Sequence, residues 1–464
     1  MVSLQFASPG DDPPRLHSSF HAKGTATSRL HRGDTPLERA AHPRFPKLGV
    51  AGSSLIVRLI PDRMRVLFTT RGSSGHVGPL APFAQACLRA GHDVLVSAQR
   101  QFGGNVERLG LPFAPVDEPS RDEWMPLMGG FAEMDMDSAH RVMIGEFFAG
   151  LDVRAELPAL GGLVKSWRPD VIVRESWEFG SELLAERHGI PILRVGLGLA
   201  ETEAETIELA APAVDKARAE VGLPSDGARE RLAATPYMTM MPAELEDPAT
   251  PGPGQTRRFR FEVDPGAEKL PDWWPGDEDP LVYLTFGSVA AGAHLPYYPA
   301  LYCAAIEALA PLAIRILLTV GDAEREIAEL GEVPSNVHME TWVPHDDVAR
   351  RADVIVCHGG FGSTLGALAH GAPLVVLPLF SNDQWANGEA VARVGAGITV
   401  ADNASERKVL DLPGSTTIDE LPGAVTSVLE DATYRREAGR VAAAMRALAS
   451  VDESVRFIEE IAGK

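Results

Sequence analysis

From Trp342 to Gln384 the chain reads WVPHDDVARRADVIVCHGGFGSTLGALAHGAPLVVLPLFSNDQ, and this stretch admits few folds. Asp353–Cys357 is a short β-branched run, long enough for a buried strand and too short for a helix. HGGFGST, His358 to Thr364, then opens a helix that carries on through Leu365–His370. Pro373–Phe380 is the next strand, and Ser381-Asn382-Asp383-Gln384 hangs off its carboxyl end. Strand, glycine loop, helix and strand in that order require a parallel sheet with a crossover helix, and such sheets bind ligands at the carboxyl edge.

The chemistry of the loop agrees with that placement. Gly359, Gly360 and Gly362 let the backbone approach a ligand closely. A helix start presents unpaired N–H groups with a partial positive charge. Ser363 and Thr364 add hydroxyl donors and His358 adds a side-chain donor. Together they make a seat for a diphosphate.

The same β–α alternation runs through the rest of the chain. It begins at Met64 with a strand at 65–70, the loop RGSSGHVGP (71–79), a helix from Leu80 to Ala90 ended by Gly91, and a strand at 92–98. Residues 112–116 read as a short strand, and 118–165 as mostly helical, with Trp124, several Met and the Phe147-Phe148 pair. A strand at 170–174, a helix over 179–188 and a strand from Pro191 follow. Beyond a stretch dense in Pro, Gly and Asp, LVYLTFGSV (281–289) restarts the device of a buried strand ending in a glycine turn. Strands at 314–320 and 337–341 lead into the organising stretch, and after it come helical Glu389–Arg393, a short strand Ile398–Ala401 and helix from about Ile418. The chain therefore divides into a disordered tail (1–63), a first α/β domain (64–245), a linker (246–280), a second α/β domain (281–445) and a terminal helix (446–464).

Charge narrows the partners. At 464 residues there is room for two cores, and a formal net charge of −21 opposes binding to nucleic acid and to anionic membranes. Cys87, Cys303 and Cys357 lie in different segments without metal-ligand spacing, as expected of reduced, buried thiols in a cytoplasmic protein. No apolar run reaches the length of a membrane span, and Met1–Leu30 lacks the apolar core of a signal peptide. A homodimer is compatible with the sequence, which does not fix the oligomeric state.

WVP at 342–344, HGGFGSTLGAL from 358 and DQ at 383–384 resemble the nucleotide-sugar signature of family 1 glycosyltransferases, most of all the bacterial members that decorate natural products. The resemblance covers about residues 64–464 and implies the GT-B arrangement, two facing Rossmann-like domains with a cleft between them. It implies a nucleotide-sugar donor, a small apolar aglycone as acceptor, inversion, and no cofactor or metal, since no Asp-x-Asp stands beside the phosphate seat. The GHVGP element resembles the family's catalytic loop, so His76 matches its general base; imidazole suits this task because it titrates near neutrality. An acidic partner is expected at the end of the strand about a hundred residues on. There Glu175 stands where the family more often has Asp, and Glu178 is the rival. Without a metal, leaving-group charge falls on Gly359, Gly360, Gly362, Ser363, Thr364, His358 and the Gly287-Ser288 turn. Trp342 offers a flat face to the base and the Val343 backbone an edge, while Asp383 and Gln384 bind sugar hydroxyls. Residues 118–165 and about 198–245 would receive the acceptor, and the last helix would cross back onto the first domain. Relatives using uridine diphosphate sugars commonly carry Glu eight residues after this His. Here that position is Gly366, which points to a thymidine diphosphate donor carrying a deoxysugar.

Other readings are weaker. A nicotinamide enzyme would show GxGxxG in the first loop and an acid after the strand at 92–98; neither is present. A nucleotide-sugar epimerase of the same fold has no need of an acceptor-deprotonating His–acid pair, nor has a non-catalytic nucleotide-sugar-binding helper.

Overall fold

A computed structural model describes residues 63–250, 252–263, 270–274, 278–287, 298–321 and 333–464. The tail expected over 1–63, apart from Arg63, lies outside the described residues, as do Ser288 and parts of the expected linker. Strands β1 (Arg65–Thr69), β2 (Asp93–Gln99), β3 (Phe113–Val116), β4 (Val171–Glu175), β5 (Ile192–Val195), β6 (Tyr237–Thr239) and β7 (Thr256–Arg258) form one sheet in the order 3-2-1-4-5-6-7. Strands β8 (Leu281–Thr285), β9 (Arg315–Thr319), β10 (Val337–Glu340), β11 (Val354–Cys357), β12 (Leu374–Val376) and β13 (Gly397–Thr399) form the second, ordered 10-9-8-11-12-13. Every pairing within the two sheets is parallel. Strand order therefore reverses between β1 and β4 in one sheet and between β8 and β11 in the other. Those two reversals are where a doubly wound sheet opens a crevice.

The strands are near-continuous apolar runs because both faces are covered by helices. Their period of two sends alternate residues into different layers. Val282, Leu284, Val354 and Val356 join Tyr298, Tyr302, Leu421 and Val425 in one cluster. Tyr283, Ile355 and Cys357 point the other way, into a cluster that also holds Val66, Phe68, Val77, Phe83, Leu365 and Leu368. Apolar packing on the inner faces is thus continuous from one sheet to the other. Phe83 is fully buried and meets Phe259 edge-on at 5.7 Å. Truncating such a ring to Ala costs about 3–5 kcal/mol.

Helix Ser454–Ile461 packs on the helix Ser74–Arg89 that follows β1, and its Val455, Phe457 and Ile458 enter the shared cluster. Arg89 bonds Asp452 at 2.6 Å and His92 lies 3.3 Å from Glu459 on the same seam. Cys87 and Cys357 are buried and Cys303 is half-buried; all three are free.

Two helices start earlier than expected, and both starts matter. The helix expected from Leu80 begins at Ser74, so His76 lies in its first turn and not in a loop before it. The Ser73 carbonyl accepts from the His76 and Val77 amides at 3.0 and 2.9 Å. Pro79 and Pro82 remove amide donors without ending the helix, because Leu80, Ala81, Phe83 and Ala84 are buried against the sheet. The helix expected at Glu389–Arg393 begins at Asn382, which places Asp383 and Gln384 in a first turn and not on a hanging loop. Its extended Ser381 cap donates to the Asp383 carboxylate, whose charge complements the helix start.

Candidate active site

β1 and β4 are register neighbours, Thr69 opposite Arg174, so whatever follows them emerges at one edge. His76, one helical turn beyond β1, places Nδ1 3.1 Å from Oε1 of Glu175, the last residue of β4. The Glu175 side chain has no solvent exposure. Its Oε2 accepts from the Trp177 amide at 2.7 Å and its Oε1 from the Arg71 amide at 3.3 Å. Burial pushes this carboxyl up, but His76, the Trp177 amide and the Arg71 guanidinium outweigh burial and hold it below the usual carboxylate range. An ionised Glu175 takes the Nδ1–H, which leaves the Nε2 lone pair of His76 free to accept a proton.

Glu178 is turned elsewhere. Its Oε2 accepts from the Thr69 and Ser181 hydroxyls and its Oε1 from the Ser181 amide at 2.8 Å. Arg174 does not pair with Glu175 in solvent. It is fully buried, bonds Glu182 at 2.9 Å, and donates to the carbonyls of Glu175, Ser176 and Glu178.

The second sheet presents its own crevice. Gly287 follows β8 with φ 76° and Gly359 follows β11 with φ 84°. The His358 ring sits between Gly287 and Gly360: a Cβ on either would lie 2.6 or 2.4 Å from the ring. Side chains at those positions would have to displace the imidazole. The ring stacks on Phe380 at 5.8 Å, and burial pulls its pKa down to about 4, so His358 is neutral near pH 7 and offers one N–H. Gly360 caps helix Phe361–Ala369, and the Phe361, Gly362 and Ser363 amides fall in the first turn, where a helix has no internal acceptors. The Gly359 carbonyl is held by Asn387 at 2.8 Å.

These two edges face one cavity of about 250 Å³. Ser73, Gly75, His76 and Trp177 line it from one side; Gly287, His358, Gly360, Gly362, Ser363, Asp383 and Gln384 line it from the other. Gln384 commits its Oε1 to the Leu379 and Phe380 amides at 2.8 and 3.1 Å, which leaves its amide N–H₂ as the donor group. Asp383 is pushed up by burial, against the pull of Ser381 and His76.

Four expected donor-site residues stand outside this wall, the first being Gly359, whose carbonyl is taken by Asn387. Thr364 is 1 % exposed and lies beside the Cys357 thiol, because its place on the helix turns it to the sheet; its hydroxyl is not a cleft donor. The Val343 side chain is in the core, leaving only its backbone outward. Trp342 is 73 % exposed and presents an uncovered indole face at the surface.

Two residues went unnoticed in the sequence. Trp177 meets the His76 ring edge-on at 5.3 Å and stacks on Phe148 at 5.5 Å. Its position two residues beyond a strand-end acid was the available signal. Arg71, two residues after β1, stacks its guanidinium on Phe148 with 3.6 Å to the ring centroid and pairs with Asp152. Among the described residues no group of three or more His, Cys, Asp or Glu side chains could hold a metal ion, and no helix is long and apolar enough to cross a membrane.

Family models for the erythromycin biosynthesis protein CIII-like N-terminal and C-terminal domains match residues 85–219 and 304–461. The 4′-demethylrebeccamycin synthase of Lentzea aerocolonigenes is 29 % identical over 444 residues, 85 % of this chain and 99 % of that protein. The L-demethylnoviosyl transferase of Streptomyces niveus is 30 % identical over 347 residues, 74 % of this chain and 86 % of that protein. Among solved structures, the spinosyn rhamnosyltransferase SpnG complexed with thymidine diphosphate superposes with a TM-score of 0.68 at 21 % identity, covering 85 % of this chain and all of that one.

Proposed function

The chain belongs to the erythromycin biosynthesis protein CIII-like family and is a GT-B glycosyltransferase of natural-product biosynthesis; from that premise we propose that it moves a deoxysugar from a thymidine diphosphate donor to a hydroxyl of a small apolar aglycone, with inversion and without a metal ion. One observation carries the proposal: the His76–Glu175 pair faces the Gly360–Ser363 helix start across a single cavity.

The His76 Nε2 takes the proton of the acceptor hydroxyl as its oxygen bonds to the anomeric carbon. The bond from that carbon to the diphosphate breaks on the opposite face, so one displacement inverts the configuration. Glu175 offsets the imidazolium that forms and keeps the ring in the reactive tautomer. The departing diphosphate gains charge where the Phe361–Ser363 amides, the helix dipole and the Ser363 hydroxyl already point. Asp383 and the Gln384 amide hold sugar hydroxyls, and the Trp342 face receives the nucleobase. Trp177, backed by Phe148, supplies an aromatic platform beside the base for a flat acceptor.

The thymidine preference rests on Gly366, which has no carboxylate to accept from two ribose hydroxyls. It also draws on the spinosyn transferase of similar fold, solved with thymidine diphosphate. The test is product release from purified protein supplied with a thymidine diphosphate deoxysugar. Release of thymidine diphosphate that requires an aglycone, with a matching mass gain on the aglycone, is the expected result. Release without acceptor, yielding an epimerised sugar, would indicate the epimerase, and no turnover across an aglycone library would indicate a binding helper.

A further inference from the structure

Arg71 occupies a singular position. Its backbone amide bonds Glu175, and its guanidinium pairs with the nearly buried Asp152 at the end of the π-helical segment Met143–Asp152. The same guanidinium stacks on Phe148 from that segment, Phe148 stacks on Trp177, and Trp177 touches His76. An unbroken chain of contacts thus joins the segment opposite the acceptor platform to the His76–Glu175 pair. Resting on the reading of His76 as general base, we propose that Arg71 is a positioning residue: its backbone amide holds Glu175 and its guanidinium fixes the Phe148–Trp177 platform against the His76–Glu175 pair.

Charge bookkeeping around the pair supports this. Asp152 faces Arg71 from the π-helical segment, and Glu156 from helix Val153–Trp167. Glu178 lies behind Glu175 with Thr69 and Ser181, and its carboxyl partners Glu156, whose pKa burial and Glu178 raise well above the usual range. His140 borders Trp177 on its far side, and Asp383 faces His76 across the cleft. Among the cations near Glu175, His76 acts most strongly on its carboxyl and Arg71 adds to it, while the buried Arg174 guanidinium is committed to Glu182 and to the carbonyls of Glu175, Ser176 and Glu178. Burial draws its pKa down to about 10, and Glu175 and Glu156 oppose that, which leaves it charged at working pH. Removing it makes proton uptake by the pair easier, so the acid limb of activity must move to higher pH.

The experiment compares wild type, Arg71→Lys, and the double variant Arg71→Met/Asp152→Asn, which leaves no unpaired buried charge. The acid limb of kcat/KM and the acceptor KM are measured with a thymidine diphosphate sugar and one accepted aglycone. In the double variant the limb should rise by about half a pH unit or more, and the acceptor KM by about tenfold. Arg71→Lys should restore the limb and not the acceptor KM, because an ammonium keeps the charge and loses the flat stack. A limb within about 0.2 unit of wild type and an acceptor KM within twofold, in a folded double variant, overturn the proposal. Should the double variant not fold, an unchanged acceptor KM in Arg71→Lys overturns it as well. Failure of the base assignment is separate: it would show as wild-type turnover in His76→Ala, whatever the Arg71 variants do.

Discussion

His345 lies flat against Gly366: a Cβ placed on Gly366 would stand 2.6 Å from the imidazole Cδ2 and 2.7 Å from its Nε2. Gly366 is one helical turn beyond Gly362 and Ser363, which line the cleft, and is itself buried. The ring therefore fills the space a side chain at 366 would need, and the two positions act as a pair. Wild type should bind thymidine diphosphate at least as tightly as uridine diphosphate, with a difference of at most about tenfold per hydrogen bond. Gly366→Glu alone should weaken both nucleotides by displacing His345. His345→Ala/Gly366→Glu should recover binding with a shift toward uridine diphosphate. Calorimetric titration of both nucleotides decides it, and a tenfold wild-type preference for uridine diphosphate would refute the donor assignment.

Loss of the base should be a rate effect. His76→Ala should lower turnover by roughly 10²–10⁴-fold and leave nucleotide affinity near its wild-type value. Glu175→Gln should do less, again through kcat, because a neutral amide can still orient the ring. If Glu178→Gln proves the more damaging change, the carboxylate that supports His76 has been misassigned.

Stability should fall with acid. Burial pulls His358 and His140 down to about 4 from an ordinary 6.5. Between those values the unfolded chain binds more protons than the folded one, so stability rises with pH and is lost as pH falls from about 6.5 toward 4. By pH 5 each histidine removes on the order of 2 kcal/mol. Melting temperatures from pH 7 to 5 should therefore drop less steeply in His140→Gln than in wild type. Parallel curves would show that His140 takes up its proton equally in both states.

Turnover should survive chelation. After exhaustive EDTA treatment, single-turnover transfer should keep its rate, since in the proposed mechanism the helix start and His358 meet the leaving diphosphate. A bond-breaking step that needs added Mg²⁺ would contradict the site as described; a metal effect on product release alone would not.

Much of this architecture was legible from residues. Short β-branched runs followed by glycine turns at Gly72, Gly287 and Gly359 announced the two crevices, because a strand whose backbone turns sharply into a ligand-facing loop uses that left-handed freedom. His76 and Glu175 could be named from the resemblance of the GHVGP loop and of a strand-end acid to the family's pattern, and Glu175 is the last residue of β4. Helix starts were harder to see: Gly75, Gly78 and Pro79, or Ser381-Asn382-Asp383, read locally as loop, and only burial of the residues after them makes them helical. Fully buried Arg174 and Arg194, paired with Glu182 and Glu203, look like surface charges in a sequence. The π-helical turn at Met143–Asp152 carries no periodic signal. It depends on contact with helix Ala200–Glu220, where a Cβ on Gly145 would come 3.0 Å from the Leu209 carbonyl.

The docking of Ser454–Ile461 onto Ser74–Arg89 has a consequence for biosynthesis. Phe457 and Ile458 belong to the same apolar cluster as Phe83 and Cys87, yet they are translated about 200 residues after β7, the last strand of the first sheet. At about 5–20 residues per second, synthesis of the second half takes roughly 10–40 s after the first sheet is complete. Throughout that interval the first half leaves the ribosome with part of its core uncovered. It reaches its final packing only when Ser454–Ile461 has left the ribosome, so a nascent protein stalled before that helix presents an open apolar face to chaperones.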